Sequence, residues 1–313
     1  MNEEVFAEWL KRQGYHIIRS ESSWWYNAGP RVYQAFPYDW LIHPSDQELK
    51  RLMLRRNIIA IRYSTDLSAA EGMVSYHVIL KNPYSLDMLR TQARNGVRRG
   101  LQNFTIELIP FSRLADEGWK LQWDTLDRQG RIDSMSQSQW QKICLAAEGL
   151  EGFEAWGAIS DGNLAAALIT ARIGNTCYVP YALSHRSYLN LHVNNALFFT
   201  VSQTLLGRKG VEKIFYTLHS LDAPESIDEF KFRMGLTPIP VRQRVDFHPF
   251  LRPLIGNLSH RVIIKLRERY PSSSVISKME GLVRFYRNGK LPLAQQEWQK
   301  CIEDHRKQWL KIV

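Results

Sequence analysis

His219 closes a short apolar run, KIFYTL at 213–218, and an imidazole titrates near neutrality, so it suits a general base that takes the proton of an attacking amine. A lone histidine also serves structural ends, and both readings stand at this stage. Arg90, Arg94 and Arg98 recur at four-residue spacing on a predicted helix over 86–101 that Ser85 would cap. No acid accompanies them at i, i+4, so three guanidinium groups share one stripe fit to hold a phosphate or carboxylate. Arg128 and Arg131 flank Gly130 in a charged turn and form a second candidate anion contact. Other chemistries are absent from the sequence: there is no Gly-x-Ser-x-Gly elbow, no phosphate-binding P-loop and no dinucleotide fingerprint. Cys144, Cys177 and Cys301 lie far apart, without the close Cys or His spacing of a zinc site. They read as reduced, core-filling thiols, and no metal is expected.

The elements that must position these groups are legible by period and punctuation. Helices are predicted over 5–13, 46–55, 111–127, 138–147 and 193–206, and strands over 57–63, 73–80 and 104–109. Residues 154–160 and 164–173 read as a hairpin about Asp161-Gly162, and 176–183 as a further strand after the turn at Gly174. Beyond 193–206 come a strand over 213–218, a helix over 226–234 opened by the capping box Ser226/Glu229, and a strand over 239–245. A dense aromatic stretch (Trp24, Trp25, Tyr26, Tyr33, Phe36, Tyr38, Trp40) is either a stacking platform or the filling of a small α/β layer. Prolines at 249 and 253 end this pattern, and three amphipathic basic helices follow.

The order β, α, β, α, β from 176 to 245, with Phe230-Lys231-Phe232-Arg233-Met234-Gly235 before a proline-containing strand, resembles the second half of the GNAT acyltransferase fold. The hexapeptide is similar to the F-K-x-x-[FM]-G signature of the Fem-type branch, whose members add amino acids to peptidoglycan precursors of the bacterial cell envelope. This resemblance covers about 75–245. It implies an α/β fold with a GNAT-like mixed sheet flanked by helices, in tandem halves of which the first is reduced, followed by a helical tail. It further implies that the parallel strands 176–183 and 213–218 part, that an acyl donor enters between them, and that the backbone of His192, Val193, Asn194 and Asn195 receives the donor's anionic group. Lys231 would polarise the carbonyl or steady the oxyanion, whereas a plain surface lysine would pair with Asp228 or Glu229. Tyr181 and Tyr216, on the two parting strands, would orient an amine or a water, or simply line the core. The loop 187–194 departs from the common pattern in containing no glycine.

The resulting expectation is an N-acyl or aminoacyl transferase drawing on acyl-CoA, an acyl carrier protein or aminoacyl-tRNA and acting on an amine acceptor. A binding protein of the same fold, without catalysis, is the rival. The segments expected are a partial domain over 1–102, the acyltransferase domain over 103–247 and a basic tail over 248–313. That tail holds thirteen Lys and Arg against five acids, which is +8 of the formal +10. Such asymmetry suits RNA, phospholipid headgroups or an acidic carrier, and peripheral membrane contact through the tail is one expectation, a solvated helical surface the other. With no apolar run near eighteen residues and no signal-like start, a cytoplasmic location is expected.

Overall fold

The computed structural model describes residues 2–130, 135–218, 229–271 and 273–309. In chain order these form α1 (Glu3–Arg12), β1 (Ile17–Arg19), β2 (Trp24–Gly29), β3 (Val32–Phe36), α2 (Asp46–Arg56), β4 (Ala60–Thr65) and β5 (Met73–Lys81). Then follow α3 (Thr91–Asn103), β6 (Thr105–Ile109), α4 (Phe111–Arg128), α5 (Gln137–Ala147), β7 (Phe153–Ser160), β8 (Asn163–Ile173), β9 (Thr176–Ser184), α6 (Val193–Leu206) and β10 (Lys213–Leu218). The chain ends through α7 (Glu229–Arg233), β11 (Thr237–Phe247), α8 (Asn257–Arg269), α9 (Ser274–Asn288) and α10 (Glu303–Trp309). These elements gather into two compact units, each discontinuous in sequence.

The α2 unit comprises Tyr15–His77, Leu218–Ile227 and Pro238–Val313. Its strands lie in the order β1-β2-β3-β4-β11, with β1, β2 and β3 antiparallel, β3 and β4 parallel, and β11 antiparallel to β4. One sheet face packs on α2: Trp25, Tyr33, Leu49, Met53, Ile61 and Tyr63 share a cluster, with Trp25 edge-on to Tyr63 at 5.9 Å. Trp25, Tyr33 and Phe36 of the aromatic stretch are therefore core, each fully buried large side chain contributing about 1.5–3 kcal/mol, while Trp24, Tyr26, Tyr38 and Trp40 are half-buried. The other face carries Ala60, Val245 and Phe247 and is covered by Ile263 of α8 with Leu282, Val283, Phe285 and Tyr286 of α9. The basic tail thus closes a core. Its anchor is Glu280, almost fully buried, which receives Arg267, Arg284 and His260 at 3.2 Å each.

The α6 unit comprises Met1–Gly14, Val78–Thr217 and Asp228–Thr237. Its strands run β10-β9-β8-β7-β6, antiparallel from β6 to β9 and then parallel at β9/β10. The β7/β8 turn forms as expected, with Asp161 and Gly162 both at positive φ (49° and 78°). Helix α1 starts at Asn2, whose side chain accepts the N–H groups of Glu4 and Val5, and it buries Phe6, Ala7, Trp9 and Leu10. Trp9 then donates its indole N–H to the Ile143 carbonyl of α5 at 3.1 Å. Helix α5 opens with a complete capping box between Ser136 and Gln139.

Two local expectations give way. The helix predicted over 86–101 is broken: Leu86–Met88 is one 3-10 turn, Ser85 makes no cap bond, and the chain is extended at Leu89, which is buried. Helix α3 starts only at Thr91, so Arg90 is its N-cap residue and drops off the helical stripe. Burying Leu89 won over continuing the helix. The charged turn predicted at 127–131 forms at Gln129-Gly130, with Gly130 at φ 66°, but Asp127 and Arg128 belong to the last turn of α4.

Candidate functional site

Strands β9 and β10 pair for three residues only: Thr176 with Lys213, Cys177 with Ile214, Tyr178 with Phe215. Past that point β9 continues to Ser184 and β10 to Leu218 without register to one another. The divergence begins at a bulge in β9, where Tyr178 and Tyr181 face Ala171 and Ile169, so three steps on one strand match two on its neighbour. Pro180 sits inside that bulge, and its ring nitrogen has no proton to offer across the gap. Sequence therefore opens this gap locally.

Side chains alternate across the sheet, which sorts the two tyrosines. Phe215 packs on Tyr178, which touches Phe6 of α1; Tyr216, the next residue, packs on Phe198 of α6 at 5.5 Å. Tyr216 is also the first β10 residue beyond the paired stretch. The Lys231 ammonium stands 5.2 Å from the centre of its ring, a cation–π distance, and Phe230 of the same helix meets Phe198 at 6.5 Å. Lys231 and Tyr216 are thus brought together at the mouth of the gap. Tyr181 goes the other way: its ring lies against Trp9 and Trp140, 6.4 and 5.7 Å away, on the α1/α5 face. His219 and Arg131 lie outside the described residues.

The hexapeptide has a structural logic of its own. Met234 is fully buried, its carbonyl accepts the Tyr84 hydroxyl at 3.0 Å, and its sulfur receives the Asn195 amide at 3.3 Å. Gly235 takes φ 88°, and the Leu236 N–H returns to the Lys231 carbonyl at 3.2 Å. A side chain at 235 would be strained at that φ and pressed on Tyr84 and Leu89, 3.4 and 3.5 Å away. Phe230, Met234 and Gly235 hold the short α7 against its neighbours so that Lys231 is aimed.

Helix α6 begins beside the gap. His192, its N-cap, is left-handed at φ 61° and makes no side-chain cap bond, and the first turn holds no acid. The His192 N–H is taken by Leu189 O and that of Asn195 by His192 O, both at 3.0 Å, whereas Val193 and Asn194 take no backbone acceptor among the described residues. Two of the four expected amides remain for an anion at the positive end of the helix dipole. Helix α3 presses on this turn: a Cβ at Gly100 would stand 2.6 Å from His192 O, and one at Gly96 3.1 Å from the Asn195 side chain. The turn is a close-packed helix start, without the open glycine nest that wraps a pyrophosphate, and it fits one small anionic group better than two.

Of the basic candidates, Arg94 is half-buried and 3.6 Å from Asp87, an acid its four-residue spacing hides, while Arg90 and Arg98 are exposed. Arg128 is committed inside the protein: it donates to Asp124 (2.9 Å), to the Ser184 carbonyl (2.8 Å) and to the Ser184 hydroxyl (3.1 Å). Asp124 also holds Arg186, which reaches Asp127 as well. Burial works to raise the Asp124 carboxyl, but the hydrogen bonds from Arg186 and Arg128 outweigh it and hold the carboxyl below its usual range. This cluster pins the free end of β9, and sequence reasoning missed it, although Asp124 and Arg128 stand at i, i+4.

FemX superposes with a TM-score of 0.56 at 11% identity, covering 79% of this chain and 92% of that one. The C-terminal DUF2156 domain of a putative lysylphosphatidylglycerol synthetase from Agrobacterium fabrum gives 0.53 at 14%, covering 77% and 87%. The fold is GNAT-like, of the FemX kind. No protein-family model matches the sequence, and no curated protein matches it. The GNAT-like fold bears out the expected mixed sheet, and the run of three antiparallel strands, a helix and a parallel strand occurs in both units: β1-β2-β3-α2-β4 and β7-β8-β9-α6-β10. Among the described residues no group of His, Cys, Asp and Glu is arranged to hold a metal, and no helix is long and apolar enough to cross a membrane.

Proposed function

We propose that the protein transfers an acyl or aminoacyl group to an amine at the β9/β10 gap. The observation that carries this reading is Lys231, set over Tyr216 where the two strands part. The amine nitrogen would attack the activated carbonyl carbon, and negative charge would gather on the carbonyl oxygen beside the Lys231 ammonium. Collapse would expel the thiolate or the ribose oxygen of the donor, and the amine proton would pass to His219 or to a water. Val193 and Asn194 would meet an anionic group of the donor. Tyr216, stacked under the ammonium, would keep it from swinging to solvent.

The crowded start of α6 supports a donor that does not lay a pyrophosphate there, and so favours aminoacyl-tRNA over acyl-CoA. Arg90 and Arg98, exposed on and beside α3, would then meet nucleic-acid phosphates, and the affinity would fall steeply with salt. The test is a thermal-shift series with acetyl-CoA, long-chain acyl-CoA, acyl carrier protein and charged and uncharged tRNA, since a true donor stabilises by mass action. Stabilisation by charged tRNA with transfer to an amine supports the reading. Equal stabilisation by charged and uncharged tRNA with no transfer would replace it with the rival, a binding protein for an anionic polymer.

A further inference from the structure

Eight of the eighteen exposed large hydrophobic residues among the described residues fall between 250 and 275, a twelfth or so of the chain. Three of them form a ladder at four-residue steps along α8: Leu258, Val262 and Leu266, with Leu258 77% exposed; Leu254, 67% exposed, ends the 3-10 turn Arg252–Leu254 just before the helix. Phe250, at 79%, lies in the turn that precedes Arg252–Leu254. Among its side chains α8 buries one, Ile263, against the sheet, whereas α9 beside it buries Leu282, Val283, Phe285 and Tyr286. The outward side of α8 is therefore an apolar ridge that the fold of the α2 unit does not use.

Charge identifies what it meets. Arg261, Lys265 and Arg269 interleave with the ridge at the same four-residue step, and all three are exposed. The neighbouring acids do not oppose them: Glu280 is buried under Arg267, Arg284 and His260, and Asp246 is buried beside Arg244 and Arg252, leaving Glu268 alone on α8. Long basic side chains between exposed Leu and Val residues on one helical face match a bilayer interface, where apolar groups enter the acyl boundary and the cations meet phosphate. An RNA would use the cations and leave the ridge in water. We propose that α8 docks the protein flat on an anionic phospholipid surface, with Phe250, Leu254, Leu258 and Val262 inserted and Arg261, Lys265 and Arg269 on the headgroups. This holds whether or not the β9/β10 gap performs transfer.

Sedimentation of the full chain with vesicles of one part phosphatidylglycerol to two parts phosphatidylcholine, and with pure phosphatidylcholine, tests it. Binding is expected on the first, at least tenfold weaker on the second, and weakened by high salt. Arg261→Gln with Lys265→Gln removes two surface cations and should lower vesicle affinity about thirty-fold, taking the usual worth of a basic residue near an anionic surface. Leu258→Gln with Val262→Gln should lower it at least tenfold with little change in melting temperature, since the two side chains are 77% and 50% exposed. Equal binding to the two vesicle types, no binding to either, or variants that bind like the parent would overturn the proposal. So would ridge variants that alter only self-association or RNA affinity.

Discussion

Two parallel strand pairs among the described residues, β3/β4 and β9/β10, begin alike and end differently. In the α2 unit β3 and β4 are in register for three residues, Val32 with Ala60, Tyr33 with Ile61 and Gln34 with Arg62, and then part, as β9 and β10 do after their own three. The first opening is bridged at its far end: the chain after β3 returns so that Leu41 bridges Ser64 and the Ile42 N–H donates to the Ser64 carbonyl at 2.9 Å, with a small cavity left between Gln34, Tyr38, Trp40, Arg62 and Tyr63. Its helix is also sealed. Ser45 caps α2 by accepting the Glu48 N–H, and Asp46 and Glu48 put negative charge on the first turn, where an anionic donor would be repelled. Helix α6 has neither a side-chain cap nor an acid there. One topology thus carries two different helix starts, and on the proposed reading only the one left without a cap or an acid would seat an anionic donor.

The largest difference between the two units is expected at Lys231. Lys231→Met keeps the apolar stem and removes the ammonium; turnover should fall about 10²- to 10³-fold, the usual loss on removing an oxyanion partner, with donor affinity unchanged in the thermal shift. Unchanged turnover would remove the lysine from the chemistry. Next is Asp124→Asn, which strips Arg128 and Arg186 of a nearly buried partner and should cost about 3 kcal/mol in urea unfolding at neutral pH. The folded carboxyl is held below its unfolded value of about 3.9, so its contribution is full above that value and is lost as pH falls through the lower, folded one. The gap between parent and variant should accordingly close in acid. A gap that persists there would assign the loss to packing.

Gly100→Ala sharpens the α6 side. Alanine ordinarily favours a helix over glycine by about 1 kcal/mol, yet here its Cβ would meet His192 O at 2.6 Å, so the change should destabilise by about 1–3 kcal/mol and weaken the donor. The finest test pairs the two helix starts. Ser45→Ala should cost about 1 kcal/mol of stability and leave donor affinity alone. Asn194→Asp should add a few tenths of a kcal/mol through the helix dipole and weaken an anionic donor several-fold. Were both changes to move donor affinity equally, the contrast between the units would fail. The smallest effect concerns thiols: burial pushes Cys177 up to about 11 and Cys144 higher still, so the half-exposed Cys301 should alkylate first at neutral pH, as mass spectrometry would register.

What sequence makes visible here is local. The β7/β8 turn at Asp161-Gly162, the helix after β9 and the strand at Lys213–Leu218 follow from periodicity, turn residues and branched side chains, and with the hexapeptide they were enough to point to a GNAT-like fold. Pairings made at long range leave no such trace. That β11 lies against β4, with Arg242 opposite Thr65 some 180 residues away in sequence, is set by which surfaces remain uncovered once the helices have packed. The break before α3 follows from burying Leu89, and the inward commitment of Arg128 from the end of β9 arriving beside it. A four-residue arginine period reads the same whether its partners are ligands or, as for Arg94, an acid seven residues back. Lys231 was found through the motif, but that Tyr216 supports it while Tyr181 faces away depends on the register of a bulge that no composition reveals.

Amide hydrogen exchange, with and without the donor that raises the melting temperature, addresses the central claim most directly. New protection is expected at Val179–Ser184 beyond the bulge and at Val193 and Asn194, with β3, β4 and the start of α2 unchanged. Protection that appears instead along Gln34–Phe36 and Tyr63–Thr65, or turnover with no change in β9, would contradict it.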